Sequence, residues 1–183
     1  YLPSAGSWGA AELAYGNTDD GNWPRCSAAA VRGTMLWISI ETNSNQYIKR
    51  RPTGGPWPAD TGTLFSTDGG AMQIAFSPTT SEVVAMYHQD VGGAEDGPWY
   101  EIYARYSYDD GVSWSAAQNI SAMTNDIDRN PEIVYDGLGN LHVAWEGFCC
   151  DHKARVRYRS RIAGTWGDIL TLVPSGATGL AVG

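Results

Sequence analysis

Two arginines, Arg25 and Arg129, stand at corresponding places in the sequence, each just ahead of a short apolar run. Glu41, His88 and Glu146 correspond in the same way, each closing the apolar run that follows. A guanidinium can fork onto a carboxylate or another planar anion, and a carboxylate or imidazole beside it can hold or move a proton. The same residue types also make plain ion pairs between neighbouring elements, and that alternative stays open. Trp23 and Trp99 lie in polar segments near these residues, and Asp90 follows His88 by two positions. An indole gives a sugar ring an apolar face to stack on, while Arg and carboxylates fix its polar groups. The candidate ligand surface is therefore Trp23, Arg25, His88, Asp90, Trp99, Arg129 and Glu146, with Arg25, Asp90, Arg129 and Glu146 as candidates for any catalysis.

Other chemistries find less footing. His88, His142 and His152 have no metal-ligand spacing, and His142 reads as a strand residue. Asp19-Asp20-Gly21-Asn22 and Glu95-Asp96-Gly97 are oxygen-rich in a way that suits calcium, but they lack a spaced ligand loop. The expectation is no metal and no cofactor, with calcium as the one open alternative. No phosphate-cradling glycine loop and no spaced Ser-His-Asp set is present. Cys26, Cys149 and Cys150 are an odd count, leaving free thiols or a vicinal disulfide at 149–150. A net charge of −8 argues against a nucleic-acid partner, which needs clustered Lys and Arg. No apolar run is long enough to span a bilayer, so no membrane insertion is expected. The opening Tyr1-Leu2-Pro3-Ser4 carries no signal peptide; either one has been removed or the numbering starts inside a longer protein.

What positions these residues is a repeat. A Gly-x-Trp or Gly-x-x-Trp element recurs at Gly6-Ser7-Trp8, Gly55-Pro56-Trp57, Gly111-Val112-Ser113-Trp114 and Gly164-Thr165-Trp166, with Trp-to-Trp steps of 49, 57 and 52 residues. About fifty residues accommodate four short strands and their turns. Each interval divides alike. Inner runs at 27–31, 72–76 and 131–135 lead through tight turns to second runs at 35–40, 82–87 and 141–145. Alternating third strands follow at 46–51, 101–107 and 155–161, and a Gly-x-Trp hairpin into a fourth strand closes the unit. No helical period persists over a dozen residues. The expected fold is all-β, a β-propeller of four-stranded antiparallel blades. The chain would hold the end of one blade (1–23), three blades (24–66, 67–122 and 123–174) and the first strand of another (175–183). An open ring exposes strand edges, so the missing blades should come from a longer chain or from further copies.

Ser107-Tyr108-Asp109-Asp110-Gly111-Val112-Ser113-Trp114 resembles the Asp-box, S-x-D-x-G-x-[ST]-W, of sialidase-like proteins. The other three copies keep Gly and Trp but lose the Asp. The resemblance implies a six-bladed propeller in which Ser107, Asp109, Gly111, Ser113 and Trp114 are a folding element, on the face away from any ligand. Sialidases also carry three arginines, an Arg-Ile-Pro segment and a Tyr–Glu nucleophile pair, and this sequence shows none of these sets complete. Three functions follow. The first is an extracellular glycan-binding or interaction propeller without a catalytic set. The second is a sialidase-like exo-glycosidase or a fragment of one, and the third a structural surface or assembly module. The partner expected for the first two is a carbohydrate or glycoconjugate.

Overall fold

A computed structural model describes residue 14 and residues 24–43, 45–92, 99–122, 126–149 and 154–173. The described residues form strands and turns with no helix, arranged as three antiparallel sheets in chain order. The first sheet is β1 (Arg25–Arg32), β2 (Met35–Thr42), β3 (Asn45–Pro52) and β4 (Thr63–Ser66). The second is β5 (Gly69–Phe76), β6 (Val83–Asp90), β7 (Tyr100–Ser107) and β8 (Gln118–Asn119). The third is β9 (Asp126–Tyr135), β10 (Leu141–Cys149), β11 (Ala154–Ile162) and β12 (Thr165–Trp166), with β13 (Leu170–Val173) also paired to β11. Trp8, Trp23, the acidic segments 19–22 and 95–97, Cys150 and the run 177–182 lie outside the described residues.

Each sheet buries one face on its neighbour because its strands alternate. Val84, Met86, Ile102 and Ala104 of the second sheet meet Leu141, Val143 and Trp145 of the third. Its opposite face, with Val83, Ala85 and Tyr87, meets Trp37, Ile48 and Phe65 of the first. The central sheet is thus apolar on both sides and most deeply buried. Aromatic edges tie the first interface: Phe65 and Trp114 have ring centroids 4.7 Å apart, and Trp37 meets Phe76 at 5.6 Å. The hairpin tryptophans of the first and third sheets share one arrangement, an arginine from the third strand over the indole: Arg51 on Trp57 at 4.7 Å and Arg159 on Trp166 at 5.4 Å.

The turn at 107–114 is closed by its own side chains. The Ser107 hydroxyl donates to Asp109 Oδ1 (2.8 Å) and accepts the Gly111 amide (2.7 Å), while Asp109 accepts the Ser113 amide (2.9 Å) and hydroxyl (2.5 Å). These bonds, those from Ser113 foremost, hold the Asp109 carboxyl down at about 2. Gly111 takes φ +77 directly against the Trp37 ring, where a Cβ would collide with the indole.

At that same end, buried Glu82 joins the second and third sheets. It accepts hydrogen bonds from Tyr135 of β9 and Arg161 of β11, and the Arg161 guanidinium lies 4.7 Å from the Tyr106 ring centre. Burial, and next the Glu82 carboxylate, push the Tyr135 phenol well above its ordinary range.

Candidate functional site

The other end of the sheets carries the polar chemistry. In sequence the inner runs begin at 27, 72 and 131, but the strands begin earlier, at Arg25, Gly69 and Asp126. Each ladder contains a bulge there. Its register shifts between Cys26 and Ala29 in the first sheet, between Gly70 and Gln73 in the second, and between Ala144 and Glu146 in the third. The extra residue breaks the alternation and re-aims the strand end. Ala71 (φ 48) and Asn130 (φ 53) adopt left-handed backbone within two of these bulges. Beyond the bulge pairing resumes, setting Arg25 opposite Glu41, Gly70 opposite His88 and Arg129 opposite Glu146. The correspondence among these positions is thus a register correspondence. Glu41, His88 and Glu146 lie within β2, β6 and β10 and do not follow them.

These ends enclose a cavity of about 440 Å³ lined by Arg25, Glu41, Asp68, His88, Asp90 and Tyr100, with Asn130 and the backbone of Gly69–Ala71 completing the wall. The volume lies in the range of small-ligand sites. All three sheets contribute, so their packing sets the shape of the cleft.

His88 is its most perturbed group. Its ring meets Tyr100 edge-on at 4.9 Å, and Nδ1 accepts the Asn130 amide at 3.4 Å. Burial first, and then the Arg129 guanidinium, lower its pKa to about 4, so the imidazole is neutral at neutral pH. With Nδ1 accepting, the ring proton belongs on Nε2, and His88 is a hydrogen-bond donor on that side. Gly70 lies under the ring: a Cβ there would stand 2.6 Å from Nε2.

Arg129 and Glu146 pair with each other, Nε to Oε2 at 3.4 Å, within one sheet and not between neighbouring ones. Asn130 Nδ2 donates to the same oxygen at 3.2 Å, and Phe148 lies under the guanidinium at 4.6 Å. Neither residue lines the cleft, which they border through Asn130. Trp99 is half-buried and likewise not on the wall. Of the candidate ligand surface, the cleft brings together Arg25, His88 and Asp90. To these it adds Cys26, Glu41, Asp68, Tyr100 and Asn130, which the sequence did not mark as ligand residues. Asp68 had a signal in Asp68-Gly69-Gly70, glycines that let another chain approach closely; Tyr100 had none, being one aromatic in an alternating strand. Among the described residues no three His, Cys, Asp or Glu side chains converge as metal ligands.

No family model matches this sequence. No curated protein matches it either. The fold does match solved structures. One is an ulvan lyase of polysaccharide lyase family PL25, with TM-score 0.53 and 13% identity over 79% of this chain and 37% of that one. The same kind of enzyme bound to -[GlcA(1-4)Rha3S]- gives TM-score 0.54 and 14% identity over the same shares. The polysaccharide lyase Uly1 gives TM-score 0.51 and 16% identity over 88% of this chain and 44% of that one. At such identities the likeness is one of fold, and the chain spans less than half the length of each structure.

Proposed function

We propose that the three sheets are blades of an Asp-box β-propeller acting outside the cell, and that the cleft at their bulged ends binds a carbohydrate. The observation that carries this is the cleft itself: Arg25, Glu41, Asp68, Asp90 and Asn130 converge with the His88–Tyr100 aromatic pair, its imidazole neutral, on a cavity of ligand size. Sugar recognition needs this mix of hydroxyl-binding groups and a ring edge. The likeness of fold to polysaccharide lyases supports it. The face of the third sheet turned away from the second exposes Val134 and Val156, the sort of surface a further blade would cover, from the same polypeptide or from another copy.

A second reading is a lyase acting on a uronic-acid chain. It is favoured by His88 meeting the Tyr100 ring and feeling the Arg129 charge, since eliminations of that kind use a base, a proton donor and a cation for the carboxylate. The Nε2–H tautomer speaks against His88 as the base, and Arg129 is already paired. Hydrolysis of the sialidase kind has less support, since among the described residues one guanidinium, Arg25, lines the cleft where the resemblance calls for three.

A glycan array followed by titration calorimetry tests binding, and the release of unsaturated products from the chains that bind tests turnover. Arg25→Ala and Tyr100→Ala should each weaken binding at least tenfold. Undiminished binding by both variants would mean that the sugar site lies elsewhere.

A further inference from the structure

We propose that the cleft selects a sugar chain bearing free amino groups and discriminates against acidic chains; this rests on the cleft being a carbohydrate site and names the chemistry of its ligand. The Asp90 amide donates to the Asp68 carbonyl at 2.7 Å, carrying the β5–β6 ladder one step past the Gly69–Gln89 pair. Asp68 and Asp90 therefore stand directly opposite one another, an arrangement in which like charges oppose folding. Among the described residues their carboxylates receive uncharged donors only, the Gly92 amide on Asp90 Oδ1 (2.9 Å) and the Thr67 hydroxyl on Asp68 Oδ2 (3.2 Å). Glu41 adds a third carboxylate, with Oε2 on the same side of Gly70 as the His88 ring. Among the described residues none of the three is in an ion pair.

Against these stands, among the described residues, one cation on the wall, Arg25, because His88 is neutral and Arg129 is committed to Glu146. The described wall thus holds two negative charges in excess, inside a chain of net charge −8. Focused in a concave site, such a field repels uronates and sulfates and draws in ammonium groups. A metal ion would be the other cation to relieve it, but among the described residues no three ligands converge. Protonated amines on a sugar can meet carboxylates standing apart, each by its own hydrogen bond.

The test uses three hexasaccharides, of glucosamine, N-acetylglucosamine and a uronic acid, titrated into the full chain at about pH 5.5, where amines and carboxylates are both charged. The first two share a skeleton and differ in charge. The glucosamine chain should bind about tenfold tighter than its acetylated form at low salt, the uronate chain most weakly, and the spread should narrow as salt rises. The combined variant Glu41→Gln, Asp68→Asn, Asp90→Asn should lose the preference without losing thermal stability. Asp60→Asn, Asp110→Asn, Asp168→Asn, which removes the same charge from exposed positions, should keep it. Equal binding of all three hexamers, tighter uronate binding, or a preference surviving in the cleft variant would overturn the charge argument while leaving a carbohydrate site in place. If no hexamer binds and the array is blank, both that site and this inference fall.

Discussion

Acidification should weaken this protein through His88. In the folded chain burial and Arg129 hold the imidazole at about 4, against 6.5 for an exposed histidine. The unfolded chain therefore takes up the proton first. Stability from the neutral ring is whole above pH 6.5, drains as pH falls from 6.5 towards about 4, and is gone once both states are protonated. A gap of about 2.5 pH units sets a ceiling of about 3 kcal/mol at 1.36 kcal/mol per unit. The ring keeps some access to solvent, so about 2 kcal/mol is the working figure. For a chain of this size that lowers Tm by about 4–8 °C. The assay is calorimetric Tm from pH 7 to 4 for the wild type and His88→Gln, whose difference cancels every other titrating group, together with direct NMR titration of the imidazole. A flat difference curve, or an imidazole midpoint near 6.5, would refute the burial argument.

Gly70→Ala, whose Cβ would stand 2.6 Å from His88 Nε2, should displace the ring, bring its titration back towards 6.5 and reduce sugar binding; an unchanged His88 midpoint by NMR would contradict this. Glu82→Ala leaves Arg161 and Tyr135 without their shared acceptor and should destabilise by about 3–5 kcal/mol, read as a Tm fall of about 10 °C, with Glu82→Gln milder. Asp109→Ala opens the 107–114 turn and should lower Tm while sparing sugar binding, since the turn lies at the far end of the sheets from the cleft. Because the Asp109 carboxyl is held at about 2, its support is present above pH 4 and fades between about 4 and 2, so the variant and wild type should converge in acid. Lost binding in an Asp109→Ala protein of unchanged Tm would reverse the two ends.

Much of the strand order was legible because alternation and turn chemistry agree over most of each interval. The inner run 72–76 keeps its period against 83–87, and Gly, Asp and Asn mark the turn between 135 and 141. The turn at 107–114 was legible for another reason, since the hydrogen bonds that Ser107, Asp109 and Ser113 make to close it all fall within eight residues. Glu82 escaped notice because its partners lie 53 and 79 residues away, a separation at which spacing carries no signal.

The cleft was half legible, and the bulges explain which half. A strand read by period two ends where the period fails, and in all three sheets it fails at an inserted residue with two to four paired residues still to come. Arg25, Gly69, Gly70 and Arg129 thus looked like loop residues although they are hydrogen-bonded in ladders. The difference matters chemically. Side chains on a loop must be ordered at the moment a ligand binds, whereas Glu41, His88 and Asp90 are fixed by pairing on both sides of β6 or β2 before it arrives. The bulge shifts β1, β5 and β9 out of their own apolar alternation, and so sets Arg25 against Glu41, Gly70 against His88 and Arg129 against Glu146 at the end of sheets that are otherwise among the driest parts of the molecule. On the unbulged β6, His88 and Asp90 continue the row of Val84 and Met86, and it is the missing side chain of Gly70 opposite that leaves the imidazole its place.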